Sequence, residues 1–114
     1  MHVIEIGGQS IGYMQYYRVR DYSEYLETVG EPDAAGIDFL IGEARFVGRG
    51  LGAKLLRAYI KRIVVPALPG ITKIVSSPDP ENQRSLRALE KAGFAQLRTI
   101  EVQGRSERLC VLNV

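Results

Sequence analysis

Strand-forming residues dominate the start of the chain. "HVIEI", the turn "GGQ" and "SIGYMQYYRVR" predict a β-hairpin: Gly7-Gly8 supplies the turn, and Val3, Ile4, Ile11, Tyr13, Tyr16 and Tyr17 favour extended backbone. Residues 21–35 show no sustained period and contain "GEPDAAG", which predicts a loop holding one helical turn at most. "GIDFLIGE" follows as a short apolar strand, suited to burial. From Gly50 the period lengthens. Leu51, Leu55, Tyr59, Ile60, Ile63 and Val64 recur at helical spacing, with Lys54, Arg57, Lys61 and Arg62 off that face, and "PALPG" is expected to stop the helix. "ITKIVSS" predicts another strand. "PDPENQ" is a turn in which Asn82 or Asp79 can cap the helix "NQRSLRALEKAGF", with Leu86 and Leu89 inward and Gly93 at its end. "FAQLRTIEV", the turn "QGRS" and "ERLCVLNV" close the chain as a hairpin. The order β-β-(loop)-β-α-β-α-β-β predicts an α/β protein with a mixed sheet, of the α+β kind.

At 114 residues the chain is expected to form one domain, 1–114, with a single core. Cys110 is the one cysteine, so there is no intramolecular disulfide and no basis for a cysteine-built metal site; with no secretory or membrane-spanning segment in view, a reducing cytoplasm is the expectation. Cys110 sits in a strand pattern and reads as core. His2 reads as a terminal bystander. The net charge of +2 hides a segregation: Asp21, Glu24, Glu27, Glu31, Asp33 and Asp38 fall in one stretch without Lys or Arg, leaving seven acids against 15 bases elsewhere. This is either a solvated acidic loop or a cation-binding sub-site beside a polyphosphate-binding one. Nucleic acid is not an expected partner, because the six tyrosines cluster in the N-terminal half, away from the bases.

"GEARFVGRGLGAKLL" carries the chemistry. A strand, a glycine-rich turn and a helix together make an anion site, because the first helical turn has unpaired N–H groups at the positive end of the dipole. Gly48, Gly50 and Gly52 leave those groups open, and Arg49 and Lys54 add charge. The nucleotide P-loop and the dinucleotide fingerprint do not fit "GRGLGA". By spacing alone, a turn used only for tight helix–strand packing remains an equal alternative.

"VGRGLGAKLL" after a buried strand, followed by "TKIVSSPDPENQRSLRALEKAGF", resembles the GNAT superfamily of acyl-CoA N-acetyltransferases. Together with "GIDFLIGE" and "IGYMQYY", it is most similar to the aminoglycoside 6′-N-acetyltransferases and the related lysine acyltransferases of siderophore synthesis, from about residue 2 to the C-terminus. Gly50 and Gly52 match the motif glycines and Gly48 the extra one, while Val47 replaces the usual Arg or Gln. The resemblance implies acetyl-CoA as co-substrate, without a metal, and a small cationic amine as acceptor, with antibiotic resistance as the corresponding role. It implies Asp38 as proton acceptor, and backbone N–H groups at Leu40 or Ile41 toward the thioester and pantetheine. It assigns the phosphates to Gly48, Arg49, Gly50, Gly52 and Ala53, and the coenzyme arm to Asn82. The bare residues also allow Asp38 as an ordinary strand-edge acid and Asn82 as a helix cap. Two departures stand out. Leu89 replaces the tyrosine that family members use to protonate the thiolate, and the chain starts at the hairpin, without the strand and two helices that precede it in the family. The alternative expectation is therefore a short, catalytically weak fold that binds CoA or a protein. A homodimer is expected, through the hairpin edge or an exposed patch of Tyr13, Met14, Tyr16 and Tyr17.

Overall fold

A computed structural model of the chain describes residues 2–6, 8–41 and 51–114. Among the described residues there are six strands: β1 (His2–Ile6), β2 (Gln9–Arg18), β3 (Ala34–Ile41), β4 (Lys73–Ser76), β5 (Ala95–Val102) and β6 (Arg105–Asn113). They form one sheet in the order β1-β2-β3-β4-β6-β5, in which only β3 and β4 run parallel. The β5–β6 turn places both Gln103 (φ 51) and Gly104 (φ 77) in the left-handed region, as a tight two-residue hairpin with the strands' right-handed twist requires.

Period two divides the strands between two apolar layers. Ala35, Ile37, Ile74 and Cys110 join one cluster; their neighbours Ala34, Val75 and Leu109 join the other. The first cluster packs under α2 (Leu51–Tyr59) and α4 (Gln83–Lys91), contributing Ala53, Leu56, Tyr59, Leu86 and Leu89. The second lies under α1 (Ser23–Val29), which buries Val29 against Val19, Ala34 and Ile100. Asn82 caps α4 by accepting from the Ser85 N–H at 3.2 Å, and Gly93 follows the helix at φ 103. Arg57 donates to the Lys91 carbonyl, tying α2 to the end of α4.

Three local expectations change. Residues 21–35 are not a loop with one turn: a 3₁₀ turn (Val19–Asp21) leads into the seven-residue α1. Helices this short are marginal alone. Arg98 of β5 donates to the carbonyls of Thr28 and Val29 at 3.1 and 3.2 Å, satisfying the end of α1 from across the chain. Nor does the second helix keep one period up to "PALPG", which stops it, as expected, after Ala67. After α2 the chain widens into a π-helical turn (Ile60–Val64), closed by the Val65 N–H on the Ile60 carbonyl, and passes through α3 (Val65–Ala67). The widened turn shifts the ladder just where Pro66 lacks an N–H and would crowd a carbonyl one turn back.

His2 is the third. It is no bystander: Nδ1 lies 2.7 Å from the Tyr59 hydroxyl, and its ring stacks at 6.1 Å on Tyr16. Burial pushes the Tyr59 phenol up to about 12, and the bond fastens β1 to α2. The patch expected from Tyr13 to Tyr17 is also absent as such. Met14 is 2% exposed within the α2–α4 layer, and the three tyrosines are half-buried. Cys110 is core as expected, its thiol pushed up by burial.

Candidate active site

β3 and β4 pair only from Ala34↔Lys73 to Gly36↔Val75. At the next step the Ser76 hydroxyl, not a backbone N–H, reaches the Ile37 carbonyl at 2.9 Å. Beyond it the two parallel strands part, while β3 continues to Ile41, paired on its other side with β2 as far as Gly12. A strand residue turns its N–H and C=O the same way, and successive residues alternate. With the Ile37 carbonyl facing β4, the backbone of Phe39 and Ile41 faces the fork, whereas that of Asp38 and Leu40 faces β2. Of the two strand positions expected to offer an N–H, Ile41 therefore points into the fork and Leu40 toward Tyr13.

Asp38 and Ser77, the first residues past the fork's apex, both line a cavity of about 790 Å³. Its floor is the sheet face beneath α1. Asp38 is exposed there, and Gln15, its cross-strand partner, donates to Oδ2 at 2.9 Å. One residue pair along, Tyr17 lies flat over Gly36. A Cβ at Gly36 would stand 2.2 Å from the Tyr17 ring, so only glycine admits this placement. Gly36→Ala is expected to cost about 1–3 kcal/mol in urea unfolding through overpacking. On a Tyr17→Ala background the same change should cost little; an equal cost on both backgrounds would show that the two do not meet.

Of the acidic stretch, Asp21, Glu24 and Asp38 line the cavity, but Glu31 pairs with Lys73 at 2.9 Å elsewhere. Two carboxylates the sequence reading did not single out, Glu101 and Glu107, enter from the β5–β6 hairpin. No Lys or Arg is among the described residues that line it. Ser77, Tyr17 and Tyr25 were likewise missed. Ser77 Oγ donates to Glu107 Oε1 at 2.8 Å and lies 2.8 Å from the Tyr25 hydroxyl. Burial pushes the Tyr17 and Tyr25 phenols up, with neighbouring carboxylates adding to it. A signal for Glu107 did exist: it stands two residues before the fully buried Leu109, an acid at an inward-facing position of an alternating strand.

On the phosphate side, Gly52 and Ala53 lie in the first turn of the described α2; Gly48, Arg49 and Gly50 lie outside the described residues. The Ala53 side chain is buried in the core, so only its backbone is available to a ligand. Leu89 is fully buried and reaches no solvent.

The model of the acetyltransferase (GNAT) domain matches residues 1–102. The chain belongs to the GNAT acetyltransferase family. An aminoglycoside N(6′)-acetyltransferase type 1 of Klebsiella pneumoniae is 36% identical over 100 residues, covering 87% of this chain and 49% of the relative. A kanamycin resistance protein of Rhizobium radiobacter is 40% identical over 70 residues, 61% of this chain and 63% of that one. Among solved structures, the aminoglycoside acetyltransferase AAC(6′)-Ib in complex with coenzyme A and kanamycin superposes with a TM-score of 0.82 at 33% identity, over 97% of this chain and 64% of that one. This GNAT chain thus spans about half the length of the first curated relative and under two thirds of that structure. Its mixed six-stranded sheet is the family fold, and no helix among its described residues is long and apolar enough to cross a membrane.

Proposed function

We propose that the chain transfers an acetyl group from acetyl-CoA to a primary amine of a small cationic, aminoglycoside-like acceptor. The observation that carries this reading is the position of the acidic cavity: it opens at the fork of β3 and β4, with Asp38 at the junction. An ammonium is drawn by five carboxylates and delivered to the one beside the fork. Asp38 takes its proton, directly or through water, and the freed lone pair attacks the thioester carbon. Phe39 and Ile41 offer backbone N–H groups toward the fork, where the oxyanion develops. Collapse breaks the C–S bond, and the thiolate takes a proton from solvent, since Leu89 has none to give. Acetyl-CoA fits the remaining residues. The glycine-rich turn, with Gly48, Arg49, Gly50, Gly52 and the Ala53 N–H, takes the pyrophosphate at the start of α2. Asn82 serves both as cap and as contact for the pantetheine arm.

The test is release of free CoA thiol with a panel of amines that includes kanamycin. Acceptor-dependent release is expected. CoA binding without release on any amine would replace this reading with that of a binding module.

We also propose a two-fold homodimer through the outer edge of β1, which among the described residues pairs with β2 alone. Sedimentation at micromolar concentration should return twice the chain mass; a monomer overturns it.

A further inference from the structure

Three side chains of the cavity form a directed chain of hydrogen bonds. Ser77 spends its single hydroxyl proton on Glu107 Oε1 at 2.8 Å, because a carboxylate only accepts. It therefore meets the Tyr25 hydroxyl, 2.8 Å away, as acceptor, and the Tyr25 proton points at Ser77. The Tyr17 ring meets that of Tyr25 edge-on, with the centroids 6.3 Å apart. The direction is fixed at one end by Glu107. Two further groups around the cavity each spend a donor in the same way. The Thr28 hydroxyl donates to the Glu24 carbonyl at 3.1 Å, and Gln15 donates to Asp38 at 2.9 Å.

We infer that the Tyr25–Ser77–Glu107 chain sets the polarity of its part of the acceptor site, committing the Tyr25 and Ser77 hydroxyl protons away from the ligand so that the two present lone pairs. Such a wall receives the N–H donors of ammonium groups and leaves a carboxylate or phosphate of an analogue without a donor, which is costly on desolvation. The effect is separate from charge. Carboxylates attract any cation, whereas acceptor-only hydroxyls favour cations that carry several N–H groups. Ser77 is then a positioning residue, acting through Tyr25. The inference rests on the reading of the cavity as the amine site. The raised Tyr25 phenol agrees with it, since burial keeps in place the proton that points along the chain.

Ser77→Ala separates polarity from charge, for it keeps every carboxylate and releases the Tyr25 proton. Calorimetry with kanamycin and with 1,4-diaminobutane should show affinity about five- to tenfold weaker, the loss typical of a broken hydrogen-bond partner. In turnover the same factor should appear in KM, with kcat held by the intact Asp38. Ser77→Thr keeps the hydroxyl and should restore wild-type affinity. Tyr25→Phe, which can neither accept nor donate, should repeat the loss if Ser77→Ala folds poorly. The tyrosine Fermi doublet in Raman spectra distinguishes donor from acceptor phenols, and it should shift in Ser77→Ala without any ligand. An unchanged doublet overturns the directed chain whether or not amines bind. A shifted doublet with unchanged affinity overturns its part in selection. A wild-type protein that binds neither amine overturns the amine-site reading itself, and this inference with it.

Discussion

Asp38→Asn is expected to lower turnover by about 10²–10⁴-fold, the contribution of a well-placed base, while CoA affinity stays unchanged. The substitution keeps the shape of the side chain. Gln15 loses nothing, because an amide oxygen accepts its N–H as the carboxylate oxygen does now at 2.9 Å. The strand around it is also fixed, by seven register pairs between β2 and β3. Only basicity disappears. The acceptor amine then reaches the thioester as an ammonium and has no lone pair to attack with. This reasoning carries a pH signature. Each unit of rise toward the amine's own pKa gives about tenfold more neutral amine, so the deficit of the variant should narrow as pH rises. Loss of binding alone would leave it constant. Equal turnover of both proteins at neutral pH would remove Asp38 from the mechanism.

What the sequence could reveal depended on how local the cause was. Neighbours such as Ala34 and Ala35, Ile74 and Val75, or Leu109 and Cys110 go to opposite layers, and that alternation is written into strands as period two. The α4 helix is legible for similar reasons: Leu86 and Leu89 face inward, Asn82 caps it and Gly93 ends it. The α1 helix was not legible, since it buries Val29 alone and its end is satisfied by Arg98, 69 residues further on. His2 finds Tyr59 across 57 residues of chain, which no local pattern announces. The cavity divides in the same way. Asp38 stood out because it lies in a motif that resembles the family's. Tyr17, Tyr25, Ser77 and Glu107 come from four elements or their ends, and only the sheet brings them together.

Gly52→Glu should abolish useful CoA affinity, weakening it by about 10³-fold, and at the same time leave the fold as stable or more so. The two halves have different causes. Gly52 is half-buried in the first turn of the described α2, and its φ is not among the positive values, so a side chain there meets no backbone strain. Glutamate is the better helix former by about 0.5–1 kcal/mol, and a negative charge suits the positive end of a helix. For the isolated protein the backbone at this position therefore favours the substitution. For a bound pyrophosphate it is the reverse. The carboxylate occupies the space that the missing side chain leaves, and it sets a negative charge against the phosphates at a distance where like charges cost about 4 kcal/mol at an effective dielectric of 20. Thermal unfolding and CoA calorimetry on one preparation check both halves. An unchanged affinity in a folded variant would remove the start of α2 from the coenzyme site. A lowered melting temperature with lost affinity would instead point to Gly52 as a packing glycine, the alternative that its spacing alone leaves open.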